Sequence, residues 1–126
     1  TLTGNKGVVF GSKTIETMTV VDLNSTNGTL AAATVNGGLL VYTSATGPGT
    51  LTMDTASNFI SVCHLTADNQ CISCYVINDG DQTVTLAVAT GVTLADAGQT
   101  IAANESAKII IRRTGAAAVT VYSVGA

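Results

Sequence analysis

The sequence predicts an all-β chain, a single antiparallel β-sandwich or jelly-roll-like domain with at most one short helix. Three observations predict it. Runs such as Gln82-Thr83-Val84-Thr85-Leu86-Ala87-Val88 alternate polar and apolar residues, the period of a half-buried strand. The residues filling those runs are Thr and Val, whose branched side chains suit a pleated surface. Gly, Asn and Asp punctuate the runs at short intervals, and many short strands at such spacing build sandwiches and jelly rolls.

The first stretch, residues 1–13, is Gly-rich and polar and reads as an N-terminal arm, with Val8-Val9-Phe10 able to form an opening strand; residues 14–126 read as the β domain. From Lys13 a strand of about eight residues is expected, since Ile15, Met18, Val20, Val21 and Leu23 alternate imperfectly with polar residues. Asn24-Ser25-Thr26-Asn27-Gly28 should close it, with Asn27-Gly28 supplying the positive φ of a tight hairpin turn. Gly37 to Thr43 reads as a short apolar strand, Thr46-Gly47-Pro48-Gly49 as a turn and Leu51-Thr52-Met53 as the returning strand. Ala56, Phe59, Ile60 and Cys63 fall at i, i+3, i+4 and i+7, so Asp54 would cap a short helix here; an extended reading competes with it. Three regular β segments follow. Ile72 to Ile77 turns through Asn78-Asp79-Gly80-Asp81 into Thr83 to Ala89, and after an irregular stretch Ala107 to Arg113 hairpins through Thr114-Gly115 into Val119 to Val124.

Length bounds the chain at one domain, because 126 residues can bury about two thirds of the unfolded surface. Only 10% of residues are charged, against roughly a quarter in an ordinary soluble domain. Such a chain keeps little electrostatic protection against association and suits an assembly. A net charge of −3 leaves no basic field for a polyphosphate, so no nucleic acid partner is expected. No apolar run approaches the roughly 18 residues that cross a bilayer, and the opening residues lack the form of a signal peptide, so no membrane partner is expected and the chain reads as soluble.

Cys63, His64, Cys71 and Cys74 are four soft-metal ligand types in one segment, and Cys71-Ile72-Ser73-Cys74 has the CxxC form of zinc knuckles and redox motifs. On a strand, however, residues three apart point to opposite faces, so these two thiols would not grip one ion. No metal or other cofactor is expected. In the extended reading a two-residue turn at Asp68-Asn69 places Cys63 opposite Cys74, as a disulfide needs; the helical reading destroys that register. His64 is the only histidine and has no second base near it in sequence, so no catalytic residues are assigned. Asp79-Gly80-Asp81 lacks the twelve-position ligand pattern of an EF-hand and reads as a hairpin turn, and the remaining carboxylates are scattered singly. Asn24, Asn27 and Asn104 each begin an N-glycosylation triplet, a weak signal in a chain this rich in Ser and Thr. Lys108 and Arg112 share a strand face with Ile110, where they would either meet an acidic partner or block edge-to-edge pairing.

The run Val76-Ile77-Asn78-Asp79-Gly80-Asp81-Gln82-Thr83-Val84-Thr85-Leu86-Ala87, continuing through Gly91-Val92-Thr93-Leu94 and residues 100–106 to Val119-Thr120-Val121-Tyr122, resembles small β-rich virion proteins of tailed bacteriophages and large DNA viruses. The likeness covers residues 37 to 124. It implies a capsid decoration, or cement, protein or a fibre-like surface protein, commonly a homotrimer seated on the lattice of a major capsid protein. No catalytic or binding residue travels with the resemblance. The leading expectation is therefore a structural virion protein without enzymatic activity, working by adhesion at the capsid surface. The alternative is a β-sandwich binding module, a receptor- or carbohydrate-binding head, although no Trp, three Tyr and two Phe offer few aromatic platforms.

Overall fold

The computed structural model describes residues 7–10, 13–16, 19–23, 27–35, 38–42 and 48–125, with side chains described from residue 27 onward. Strands make up 52% of the chain, so it is mostly β, but its sheets are mixed where antiparallel ones were expected. β1 (Gly7–Phe10) and β2 (Lys13–Glu16) pair antiparallel in a two-stranded sheet of their own. The strand of about eight residues expected from Lys13 is thus divided, because β3 (Thr19–Leu23) belongs to another sheet.

From β3 the chain coils. β3 enters a six-stranded sheet, β4 (Asn27–Leu30) a four-stranded sheet, and α1 (Ala32–Val35) returns the chain to the first. The cycle repeats with β5 (Gly38–Tyr42), β6 (Gly49–Met53) and α2 (Ala56–Val62), and begins again with β7 (Cys71–Asn78) and β8 (Val84–Ala87). Corresponding strands stack parallel, β3 on β5 on β7 and β4 on β6 on β8. Parallel neighbours need a connection that leaves the sheet and comes back. Here the opposite sheet and a short helix provide it.

The last third of the chain closes the sheets. β9 (Val92–Leu94) takes the far edge of the six-stranded sheet, and β10 (Thr100–Ile101) runs antiparallel to β8. β11 (Ser106–Gly115) and β12 (Ala118–Val124) form the expected hairpin, with a register shift between Arg113 and Gly115. β11 also pairs antiparallel with β7, and β12 runs parallel to β9.

The other expected hairpins are corrected. Asn27-Gly28 lies inside β4, where Gly28 stands opposite Leu51, and the chain passes from β5 to β6 and from β7 to β8 by changing sheets. The physical reason is that both members of each strand pair have an apolar face to bury. Parallel stacking aligns Leu40 with Val76, Leu51 with Leu86 and Leu30 with Met53, all inside the core. The expected turns at 24–26 and 46–47 lie outside the described residues.

The helical reading of 56–63 holds. Thr55, with extended φ −68° and ψ 152°, is the N-cap and accepts from the Asn58 N–H at 3.2 Å. Asp54, expected as the cap, instead joins the two helices: its carboxylate accepts from the Ala32 N–H at 3.0 Å, the Thr55 N–H at 2.8 Å and the Asn58 side-chain amide at 2.7 Å. Partial burial pushes this carboxyl up, yet those three hydrogen bonds outweigh it and hold the pKa below its ordinary value. α1 is a second helix where at most one was expected; at four residues it is too short to leave a periodic signal.

One core gathers side chains from both large sheets and both helices, among them Leu30, Leu51, Val35, Phe59, Val76 and Ile109, each 0% exposed. Each such side chain stabilises the fold by about 1.5 to 3 kcal/mol.

Candidate functional site

The cysteine and histidine segment divides by environment. Cys63 is the C-cap of α2: its N–H donates to Phe59 O at 3.0 Å and its Sγ to Ala32 O at 3.5 Å. His64 is exposed on left-handed backbone at φ 55°. Cys71 and Cys74 lie on opposite faces of β7, the first exposed and the second 2% exposed. Burial, and secondarily the neighbouring Cys63, pushes the Cys74 thiol up to about 12. Cys71 and Cys74 are free thiols, and among the described residues no three His, Cys, Asp or Glu side chains are grouped to hold a metal.

Arg113 has a structural task. Its Nη1 donates to Leu65 O at 2.9 Å and its Nε to Gly115 O at 3.0 Å, with Asp68 Oδ1 at 3.4 Å. The loop after α2 is thereby tied to the β11–β12 hairpin. Gln70 tightens it further, its Oε1 accepting from the N–H groups of Thr66 and Ala67.

Asp79-Gly80-Asp81 is a corner between sheets, with both carboxylates exposed. Its organiser is Asn78, which is fully buried. The Asn78 side-chain amide donates to Gln82 O at 2.7 Å, Ile101 O at 3.0 Å and Ala102 O at 3.2 Å, and its Oδ1 accepts from the Gly80 N–H at 3.1 Å. The sequence marks Asn78 only as a turn former; that it is the strand's last inward position was the available signal. Of the glycosylation triplets, Asn27 accepts from the Thr50 N–H within a strand, Asn104 stands in an exposed turn at φ 61°, and Asn24 lies outside the described residues.

Lys108 and Arg112 are not on an edge, because β11 is flanked by β7 and β12. They lie on the outer face of the six-stranded sheet, opposite the core. The register places Lys108 between Tyr75 and Val124, Ile110 between Ser73 and Tyr122, and Arg112 between Cys71 and Thr120. Leu39 of β5 continues the row beyond Tyr75. Tyr75 is 50% exposed and Val124 54%, while Leu39, Val41, Ile110 and Tyr122 are half-buried by their neighbours alone. The Arg112 guanidinium stacks 5.7 Å from the Tyr122 ring centroid, and its Nε is buried without an acceptor among the described residues.

Depressions open on the surface of the described residues. One of about 340 Å³ lies on this outer face among Cys71, Ser73, Lys108 and Ile110. Another, about 540 Å³, is an apolar groove beside β9 lined by Leu86, Val88, Val92, Leu94 and Ala97, with no titratable side chain in its wall. The first brings the Cys71 thiol, the Ser73 hydroxyl and the Lys108 amine to one depression, and the second presents apolar side chains. Comparison with family models, with curated proteins and with solved structures finds no match to this chain.

Proposed function

We propose that the protein is a structural virion protein, a capsid decoration or cement protein that strengthens a shell through subunit contacts. The observation that carries this reading is the outer face of the six-stranded sheet, where apolar and aromatic side chains lie open across four adjacent strands. Apolar and aromatic side chains exposed together, with Lys108 and Arg112 set among them, suit a protein interaction site. The low charge of the whole chain and its resemblance to β-rich virion proteins support the same reading. Side chains of both large sheets enter one core, which supports a layered, sandwich-like description of the domain.

The mechanism is mass action. A protein that binds only the assembled shell stabilises it by RT ln(1 + [L]/Kd), about 2.7 kcal/mol at a concentration of 100 Kd. The partners are other copies of the chain, as a homotrimer, and the major capsid protein.

Light scattering of the purified protein should give three times the chain mass, and shells lacking the protein should take it up on co-sedimentation and resist heat better afterwards. A monomer at high micromolar concentration that leaves shells unbound and unprotected would end this reading. The groove beside β9 favours a second one, a binding module for an apolar ligand or receptor segment. Ligand-dependent protection of Leu86 to Leu94 from hydrogen exchange would distinguish it.

A further inference from the structure

We propose that the outer face of the six-stranded sheet is where a second copy of this chain docks, with Lys108 and Arg112 of one copy receiving the carboxylates of Asp79, Asp81 and Glu105 of the other. The inference deepens the preceding reading and rests on its self-association part.

Area argues first. Strands about 4.8 Å apart and rising about 3.3 Å per residue make the β5–β7–β11–β12 face roughly 400 Å² in footprint. That footprint takes in Lys108, Ser73 and Arg112 as well as apolar side chains, and a stable interface buries about 800 Å² on each partner. This face thus supplies about half of an interface, with Leu39, Val41, Tyr75, Ile110, Tyr122 and Val124 as its apolar centre. The other half must be a polar rim.

Charge identifies what meets that rim. Outer positions on β5, β7, β11 and β12 carry Lys108 and Arg112 and no carboxylate. β3, beyond β5, is three strands or about 14 Å from β11. The one ion pair among the described residues is Arg113 with Asp68, away from this face. Exposed carboxylates gather instead at the Asn78 corner. Asp79 follows Asn78, whose N–H donates to Glu105 O at 2.8 Å, and Asp81 lies two residues further on. Glu105 precedes β11 and Arg112 is near its end, so one strand holds these opposite charges about 23 Å apart. That far exceeds the screening length of about 8 Å at physiological ionic strength. The chain cannot neutralise Arg112 with its own corner, but a second copy can. The stacked guanidinium of Arg112 is suited to a carboxylate, having a planar array of donors held in place by Tyr122.

Charge exchange tests this. We would compare wild type, Lys108→Glu/Arg112→Glu and Asp79→Lys/Asp81→Lys/Glu105→Lys by sedimentation velocity, with circular dichroism and thermal melts as folding controls. Wild type should associate, more weakly at 500 than at 50 mM salt. Each charge variant alone should dissociate at least tenfold more readily, and an equimolar mixture of the two should re-associate. Because Arg112 is half-buried, Lys108→Glu alone, at an exposed position, serves if the double variant does not fold. Association unchanged in the face variants, or a mixture that stays dissociated, overturns the proposed surface alone. A monomeric wild type at high micromolar concentration overturns self-association too. Intact, charge-dependent association with no uptake by shells leaves this surface standing and sinks the virion reading.

Discussion

Asn78 commits its side chain to four backbone groups on two separate segments, the corner at Gly80 to Gln82 and the stretch at Ile101 and Ala102. Each partner loses water on folding, and a buried group left unmatched costs about 1 to 3 kcal/mol. Asn78→Leu should therefore lower the unfolding free energy in urea by about 2 to 4 kcal/mol; a loss below about 0.5 would mean that water replaces the amide at little cost. Cys74 makes a different prediction, one about pH. Its folded-state pKa of about 12 lies above the ordinary value of 9.0, so the native state holds this proton more tightly than the unfolded chain. The resulting stability is complete below about pH 9 and declines as pH rises from there toward 12, by up to about 1.4 kcal/mol per unit. Urea unfolding at pH 8, 9.5 and 10.5 should show this extra slope in wild type and lose it in Cys74→Val. Identical slopes would refute the assignment. Neither role was fully legible beforehand: strand geometry correctly separates Cys71 from Cys74, but depth of burial depends on which elements pack above each face.

At the scale of elements, α2 is held at its start by contacts that a sequence cannot display. Ala56 N donates to Thr90 O at 3.0 Å, and the next residue, Gly91, has φ 80° and passes its carbonyl to the Val119 N–H. A Cβ at Gly91 would stand 2.6 Å from Ala117 O and 2.8 Å from Ala56 Cβ, on backbone that L-residues rarely adopt. Gly91→Ala should cost more than the roughly 1 kcal/mol of an ordinary left-handed position and lower the melting temperature, because two elements must move apart. A melt within about 1 °C of wild type would show that the segment yields freely. The neighbouring helix itself was readable, since four apolar residues at helical spacing outweigh the Thr and Ser beside them. What the turns concealed was destination. Asn78-Asp79-Gly80 states that the chain bends, and a bend serves a hairpin and a change of sheet equally well, while Asn27-Gly28 is not a turn but part of β4. Parallel stacking depends on matching Leu40 to Val76 and Leu51 to Leu86 across 35 or 36 positions, a choice made by the collapsed core, whereas the β11–β12 hairpin was found because its pairing is local. The outer face was visible only as Lys108, Ile110 and Arg112, its other contributors lying on strands whose adjacency was hidden.

For the molecule as a whole, the two-stranded ribbon of β1 and β2 poses a question of stability. It pairs with neither large sheet, and a lone two-stranded hairpin is marginal in water. Ordering its backbone costs about 1 to 2 kcal/mol per residue, which must be recovered from contacts outside its own ladder. Gly7-Val8-Val9-Phe10 pairs in register with Lys13-Thr14-Ile15-Glu16, Val8 opposite Ile15 and Phe10 opposite Lys13. The ribbon's first strand lies within residues 1–13, which the sequence suggests is an arm, and its second strand starts where that arm was expected to end. Deleting residues 1–16 should leave the circular dichroism spectrum β-dominated and the melting midpoint within about 4 °C, equivalent to roughly 1 kcal/mol for a domain of this size. If the ribbon takes part in the proposed assembly, the same deletion should weaken trimer formation or capsid attachment at least tenfold. If the truncated protein assembles and decorates shells with unchanged affinity, the ribbon has no adhesive role; if it fails to fold, the ribbon belongs to the domain, and its entropy is recovered within a single chain.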